Sequence, residues 1–263
     1  MSNHKLSNQV VFVLFFLLLF PLYSMAKSNT SQIKVVTEYF EPYQIKQQNG
    51  QLGGFATEVV RAMFKETNTV PNITVMPWAR AYAEATHSPN TLIYSIAHTA
   101  KRDDNFLWVG SLTKEKLYFW TVKNNEALLR NKQENFHNFR VAATRKSNAA
   151  QYLQDRQYNK IYLLNKDDQN ILMLYKGRVD LIIATDLTVA SRAEKFGLNI
   201  NELVKVREIK ELNNDLCIAF SKGTDPALLQ QFRQAFRKVK RAGTLSRLQN
   251  KWLTQEQTLA NLN

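Results

Sequence analysis

Strand-like and helix-like patterns alternate along this chain, and the alternation occurs twice. The first series opens with Ile33-Lys34-Val35-Val36-Thr37, whose two-residue period predicts a strand. Gly50 and Gly53-Gly54 mark turns, and apolar residues at 55, 59, 60, 63 and 64 fall on one helical face. A strand over Ile73 to Met76, a helix opened by Pro77 and a strand over Leu92 to Ala97 complete a β-α-β-α-β order. The second series predicts strands at Phe139 to Ala143, Ile161 to Leu164 and Leu181 to Ala184, the last apolar enough to be buried on both faces. Between them fall a helix from Asn148 to Leu153 and one ending near Gly177, capped by Asp167 or Asp168. Such an order demands mainly parallel sheets covered by helices. Two series of about 90 residues each predict two lobes.

Leu117 to Val122 and Leu216 to Phe220 have strand composition, and each joins one series to the next part of the chain. If both cross between lobes, residues 27–120 and 217–263 form one lobe and 121–216 the other. From Pro226 to Leu253 apolar residues recur at helical spacing, which predicts one or two amphipathic helices. Seven cations face a single acid, Asp225, over residues 225–252: Arg233, Arg237, Lys238, Lys240, Arg241, Arg247 and Lys251. That pattern suits a solvated outer face or a docking surface.

The N-terminal stretch must be set apart from the fold. Val10 to Phe20 is unbroken apolar sequence, and Ser24-Met25-Ala26 places small residues where a signal peptidase reads them. The run is about half the roughly 20 residues that a membrane span needs. Residues 1–26 are therefore expected to be a signal peptide cleaved after Ala26, which sends the chain to the periplasm. Formal net charge is +13, and the expected cleavage removes one cation, Lys5. A basic exported protein meets anionic lipid, acidic partners or anionic solutes, and nucleic acid is not an expected partner. Cys217 is the single cysteine; it precludes an intrachain disulfide, and its apolar setting predicts a buried, inert thiol.

The segment "YSIAHTAKRDDNFLWVG", residues 94–110, joins two apolar runs through a knot of donors and cations. Together with its neighbours it resembles the family 3 extracellular solute-binding proteins, periplasmic receptors typified by polar amino acid uptake systems. The resemblance spans the chain after residue 26. It rests on Glu41-Pro42-Tyr43, on Gly50 with Gly53-Gly54-Phe55, on Thr99-Ala100-Lys101-Arg102, on Gly177-Arg178-Val179-Asp180 and on Lys251-Trp252. Pro77-Trp78-Ala79-Arg80-Ala81 and Trp108-Val109-Gly110 look more like a branch divergent from the amino acid receptors. The resemblance implies an α/β, two-lobed periplasmic binding protein of type II, monomeric, with two hinge strands. It also implies a solute held in the interlobe cleft and delivery to an inner-membrane ABC permease.

Ligands of open α/β sheets bind beyond the carboxyl ends of strands, where this knot sits. In the family the Arg matching Arg102 binds the solute's carboxylate, a role suited to the guanidinium fork; pairing with Asp103 or Asp104 is the structural alternative. Ser95 stands where the family favours Gly, and Ala97 replaces a usual Thr, so Thr99 is the hydroxyl left to compensate. Phe40 and Trp78 match positions that place rings over the solute, or they are core rings. Arg80 faces the cleft mouth or solvent. From the second lobe, Arg145, Lys146 and Ser147 open a helix whose amides attract anions, with Ser147 also a natural N-cap. The family carries a carboxylate five residues after the Asp matching Asp180, where it pairs with an ammonium. Here that place holds Thr185, and Asp186 comes one residue later, which on a strand reverses the face. The expected solute is small and anionic or zwitterionic, carboxylate-bearing or amino-acid-like. No cofactor or metal is expected: His87, His98 and His137 lack ligand spacing. A sensor partner of a membrane signalling protein needs the same cleft. A dehydratase-like enzyme would need a positioned acid, for which Glu38 and Asp186 are the candidates.

Overall fold

The computed structural model describes residues 33–125 and 136–254; the expected signal peptide lies outside them. In chain order the first part comprises β1 (Lys34–Thr37), β2 (Ile45–Lys46), β3 (Leu52–Gly53), α1 (Phe55–Glu66), β4 (Ile73–Val75), α2 (Trp78–His87), β5 (Thr91–Ala97) and β6 (Phe106–Lys114). Next come β7 (Tyr118–Val122), β8 (Arg140–Thr144), α3 (Asn148–Asp155), β9 (Lys160–Leu164), α4 (Gln169–Tyr175), β10 (Leu181–Ala184), α5 (Asp186–Lys195) and β11 (Leu203–Glu208). The chain then returns through β12 (Asp215–Ser221), α6 (Pro226–Arg241) and α7 (Thr244–Leu253).

Two five-stranded sheets result, one in each lobe, ordered β4-β1-β5-β12-β6 and β11-β7-β10-β8-β9. In each, the strands of the βα series are parallel, and the returning strand runs against them: β12 against β5, β7 against β10. This is the mixed α/β, two-lobed arrangement that the alternation of patterns implies, of the type II kind that the resemblance implies. The chain passes between sheets in two short links, 115–117 and 209–214, which adjoin the ends of β7 and β12.

Strand alternation assigns each side chain to one layer. Val35 packs towards α1, α6 and α7, whereas Val36 packs towards α2. On β7, Phe119 and Trp120 divide in the same way between the two cores of the second lobe. Phe232 anchors α6 by meeting Phe64 and Phe220 edge-on, at ring separations of 4.8 and 5.2 Å. A buried Phe of this kind contributes roughly 1.5–3 kcal/mol. Gly54, at φ 98°, opens α1 where an added Cβ would lie 2.6 Å from the Tyr43 carbonyl. Only glycine fits there. Cys217 is buried in β12, and burial pushes its thiol up to about 12, as the inert reading requires. The cations Arg237, Lys240, Arg241 and Arg247 are exposed on α6 and α7. No described helix is long and apolar enough to cross a membrane.

Ser95 breaks the alternation of β5. Tyr94 pairs with Ile218 and Ile96 with Cys217, which leaves Ser95 as the extra residue of a β-bulge, at φ 58°. The left-handed backbone required at this place is one that glycine adopts without strain. The bulge turns the strand end, with Ser95 Oγ and Ala97, towards the space between the lobes.

Candidate functional site

A cavity of about 80 Å³ lies between the lobes, at the carboxyl ends of β1, β5, β8 and β10. Each wall is set by local chemistry. On the first lobe, the Gln44 amide donates to Thr37 Oγ1 at 2.7 Å and Phe40 bridges to Gln44, which holds Glu38 and Phe40 at the mouth of β1. The 3₁₀ turn Ala100–Arg102 returns the chain so that Arg102 is buried beneath the strand end. On the second lobe, Ser147 caps α3 by accepting from the Ala150 N–H. Thr185 caps α5, exchanging hydrogen bonds with Thr188.

Arg102 is 6% exposed, and among the described residues it has no carboxylate partner. Its Nη1 donates to the Ala97 carbonyl at 2.9 Å and its Nη2 to the Lys146 carbonyl at 3.4 Å. The guanidinium lies 5.2 Å from the Tyr82 ring centre and 6.0 Å from that of Trp78. Burial depresses its pKa, and the Tyr82 hydroxyl pulls the other way.

The opposite side of the cavity is acidic. Arg192, 3% exposed, pairs with Asp167, whose Oδ1 accepts from Thr144 Oγ1 at 2.9 Å. Burial lowers Arg192 to about 10, while Glu38, Glu41 and Glu115 work to raise it. Glu38 is half-buried and pushed up to about 8 by desolvation, against the pull of Arg192. Glu115, in the first interlobe link, is buried and raised to about 7 for the same reason, against Tyr43 and Arg192. Buried atoms without partners among the described residues cluster on the same lining: Ser95 Oγ, Glu115 Oε1, Asn170 Oδ1 and Arg192 Nη1. Buried polar atoms are normally satisfied, so this lining has free valence for polar atoms from outside the chain.

Of the residues singled out from the sequence, Phe40, Trp78, Ser95, Arg102, Ser147 and Thr185 line this cavity. Thr99 and Lys146 line an adjoining chamber of about 350 Å³ that shares Arg102 and Asn148 with the first. Arg80, Arg145 and Asp186 line neither. Arg145 is exposed and donates to the Leu163 carbonyl; Asp186, the first residue of α5, pairs with Lys205 at 2.6 Å, while Thr185 takes the inward place. Glu115, Asp167, Asn170 and Arg192 join the cavity without a sequence signal of their own. Asp167 has the look of a helix cap, and its spacing from Arg192 gives no hint that they meet.

The lobes touch across the cleft. Trp78 Nε1 donates to the Lys146 carbonyl at 3.1 Å, joining Arg102 on the same acceptor, and Lys146 holds a left-handed conformation at φ 65°. Lys101 pairs with Asp155, Lys195 pairs with Glu41 at 2.9 Å, and Arg192 lies 5.8 Å from the Phe40 ring centre.

The family model for bacterial extracellular solute-binding proteins, family 3, matches residues 33–255. No curated protein shows significant sequence similarity. Among solved structures, an ancestral arginine-binding protein bound to arginine is similar with a TM-score of 0.71 at 18% identity, covering 84% of this chain and 97% of its own. A histidine kinase sensor domain with similarity to periplasmic binding proteins gives the same TM-score and identity, over 84% and 96%. A periplasmic His/Glu/Gln/Arg/opine family-binding protein from Silicibacter pomeroyi, in complex with lysine, gives 0.70 at 17% identity, over 84% and 96%. At these identities the likeness is one of fold.

Proposed function

Because the chain belongs to the bacterial extracellular solute-binding proteins of family 3, we propose that it is a periplasmic receptor for an amino-acid-like solute bearing a carboxylate and a cationic nitrogen. The observation that carries this reading is Arg102, a buried guanidinium with no counter-ion among the described residues, across a small cavity from Glu38 and Glu115. A buried unpaired charge is costly. A solute carboxylate on its free N–H groups offsets that cost through a charge-assisted, two-pronged contact. A solute ammonium or guanidinium placed between Glu38 and Glu115 would let both ionise. The ring of Trp78 closes the side of the site and excludes water.

Two of the solved structures of like fold hold arginine and lysine, solutes of this chemistry. Delivery to an inner-membrane ABC permease is the output proposed from the family. The histidine kinase sensor domain among the fold's relatives keeps a signalling output as the second reading. No catalytic role is proposed for Glu38. It faces Arg192 in a binding cleft, and the family is one of binding proteins.

Thermal-shift screening of the exported chain against amino acids, dicarboxylates and inorganic anions tests the reading. A ligand at about 100 times Kd adds roughly 2.7 kcal/mol to the folded state. Basic or zwitterionic amino acids are expected to stabilise and simple dicarboxylates to fail. The reverse ranking would overturn the assignment of the acidic wall. Gene neighbourhood separates transport from signalling: an adjacent permease and ATPase, with solute uptake on reconstitution, supports transport, and an adjacent histidine kinase supports signalling.

A further inference from the structure

Seven cations and no acid lie between Pro226 and Leu253, and the solute site uses none of them. The fold divides them into two groups. Three are engaged with their own lobe. Arg233 is half-buried and donates through Nε to the Trp108 carbonyl at 2.9 Å, while Lys238 and Lys251 meet Glu66 and Glu58 of α1 at 3.7 and 2.7 Å. The other four, Arg237, Lys240, Arg241 and Arg247, are exposed and have no acidic partner among the described residues.

These four stand at one corner. Arg237, Lys240 and Arg241 share a face of α6 through their three- and four-residue spacing. Gly243, at φ 70°, then turns the chain, and Arg247 follows as the fourth residue of α7. Phe236 and Val239 of α6 and Leu245 and Leu248 of α7 share one buried core, which fixes the corner. Asp225, the nearest acid in sequence, is committed to the Ala227 and Leu228 amides at the far end of α6, about 24 Å from Arg241.

The needs of the scaffold do not account for the group. Cations suit the last turn of α6, where they complement the helix dipole. Arg247 sits at the wrong end of α7 for that role, and Arg237 and Arg241, four residues apart, repel each other. Nor does the corner look like a protein interface. Such interfaces bury aromatic or aliphatic anchors and are poor in lysine, whereas the exposed residues over 237–250 include no large apolar side chain.

We propose that the corner of α6 and α7 is a docking surface for an anionic phospholipid bilayer. Long cationic side chains dispersed over two helices match the dispersed negative charge of lipid headgroups. Attraction of this kind is reversible and screened by salt. Each cation near such a surface is worth about fivefold in partitioning, so four make a weak tether. The tether holds the protein at the membrane and leaves the cleft free for solute.

Co-sedimentation of the exported chain with vesicles tests this. At about 0.05 M salt, vesicles of three parts phosphatidylethanolamine to one of phosphatidylglycerol should bind it about tenfold or more better than phosphatidylcholine vesicles, and about 0.5 M salt should release it. The quadruple variant Arg237→Gln, Lys240→Gln, Arg241→Gln, Arg247→Gln should lose most of this binding and keep the wild-type melting temperature. A variant of equal net charge, Lys160→Gln, Lys166→Gln, Lys176→Gln, Arg178→Gln, changes exposed cations of the second lobe and should bind as wild type does. Should the first variant fold poorly, Arg237→Gln with Arg247→Gln gives the same test with a smaller loss. Equal binding to both vesicle types, binding that survives high salt, or equal losses in the two quadruple variants overturns the proposal. Absence of binding to the anionic vesicles overturns it too, and leaves the corner to an acidic protein partner.

Discussion

Arg102 and Arg192 are buried guanidiniums on the wall of one cavity, and their surroundings differ in one decisive respect. Arg192 is paired with Asp167 and lies within the field of Glu38 and Glu115. Arg102 has two carbonyls and two aromatic rings, and no acid among the described residues. A paired buried charge is part of the scaffold, because removal of either partner strands the other. An unpaired one is a standing electrostatic cost, and the fold retains it only where something outside the chain supplies the missing charge. On the proposed reading, the contrast separates an arginine of the scaffold from one that meets the solute.

The largest expected effect is on stability at the paired site. Arg192→Met leaves the partly buried Asp167 without its counter-ion and should cost about 3 kcal/mol in urea unfolding. Arg102→Met strands no charge and only takes donors from the Ala97 and Lys146 carbonyls, so the same measurement should show a smaller loss, about 1–2 kcal/mol. If Arg102→Met proved the more destabilising of the two, the distinction between them would collapse.

Ligand affinity reverses that ranking. Truncating one member of a buried charge pair costs roughly 2–5 kcal/mol, so Arg102→Met should weaken the best ligand from the screen by between about 30-fold and several thousand-fold. Titration calorimetry reads this directly. An undiminished affinity in Arg102→Met would place the solute carboxylate elsewhere.

How far the sequence foretold these two residues depends on the reach of local patterns. Arg102 sits at the end of a buried strand, inside a turn rich in donors, and its position is legible because strand ends of α/β sheets face the cleft. Ser95 is legible too, as the lone departure from glycine at a place that proves to need a positive φ. Arg192 is not. It lies in α5, a helix whose sequence, DLTVASRAEK, carries a short apolar stripe among polar residues, and it reaches Asp167 across a gap of 25 positions that no helical or strand period links. Asp186 illustrates the same limit. One added residue after β10 turns Thr185 into the helix cap and sends the carboxylate outward to Lys205, a choice made by capping geometry. The strands and helices of both series arise from period and turn chemistry. The acidic wall depends on contacts between distant segments, and periodicity is blind to those.

The acids opposite Arg102 sharpen the comparison through pH. Glu38 and Glu115 are held above their unfolded values, at about 8 and about 7. The folded protein therefore binds more protons than the unfolded chain between the ordinary Glu range and pH 8. Its stability should fall as pH rises through that window and level off above it. Glu38→Gln should flatten most of the slope in thermal melts taken from pH 5 to 9. The affinity of a cationic solute should move the other way, rising across pH 7–8 as the carboxylates ionise. Stability that rose with pH over this interval would show that the acidic wall is not desolvated in the ligand-free protein.

The smallest effect concerns how the two walls are held together. Trp78 Nε1 and Arg102 Nη2 both donate to the Lys146 carbonyl, which a left-handed residue presents to them. On the proposed reading a ligand carboxylate competes for Arg102 and leaves the indole bond in place, so Trp78 is expected to hold the cleft shut in both states. Trp78→Phe keeps a ring near the guanidinium and removes only the donor, a loss of about 1 kcal/mol. The closed fraction of the ligand-free protein should drop, with a larger radius of gyration in solution scattering. The apparent Kd should rise about fivefold, because affinity scales with the population of the competent state. Saturating ligand should return the variant to the wild-type radius. A radius and Kd equal to wild type would assign closure to the charged pairs at the rim, Lys101 with Asp155 and Lys195 with Glu41, and both measurements should then respond to salt.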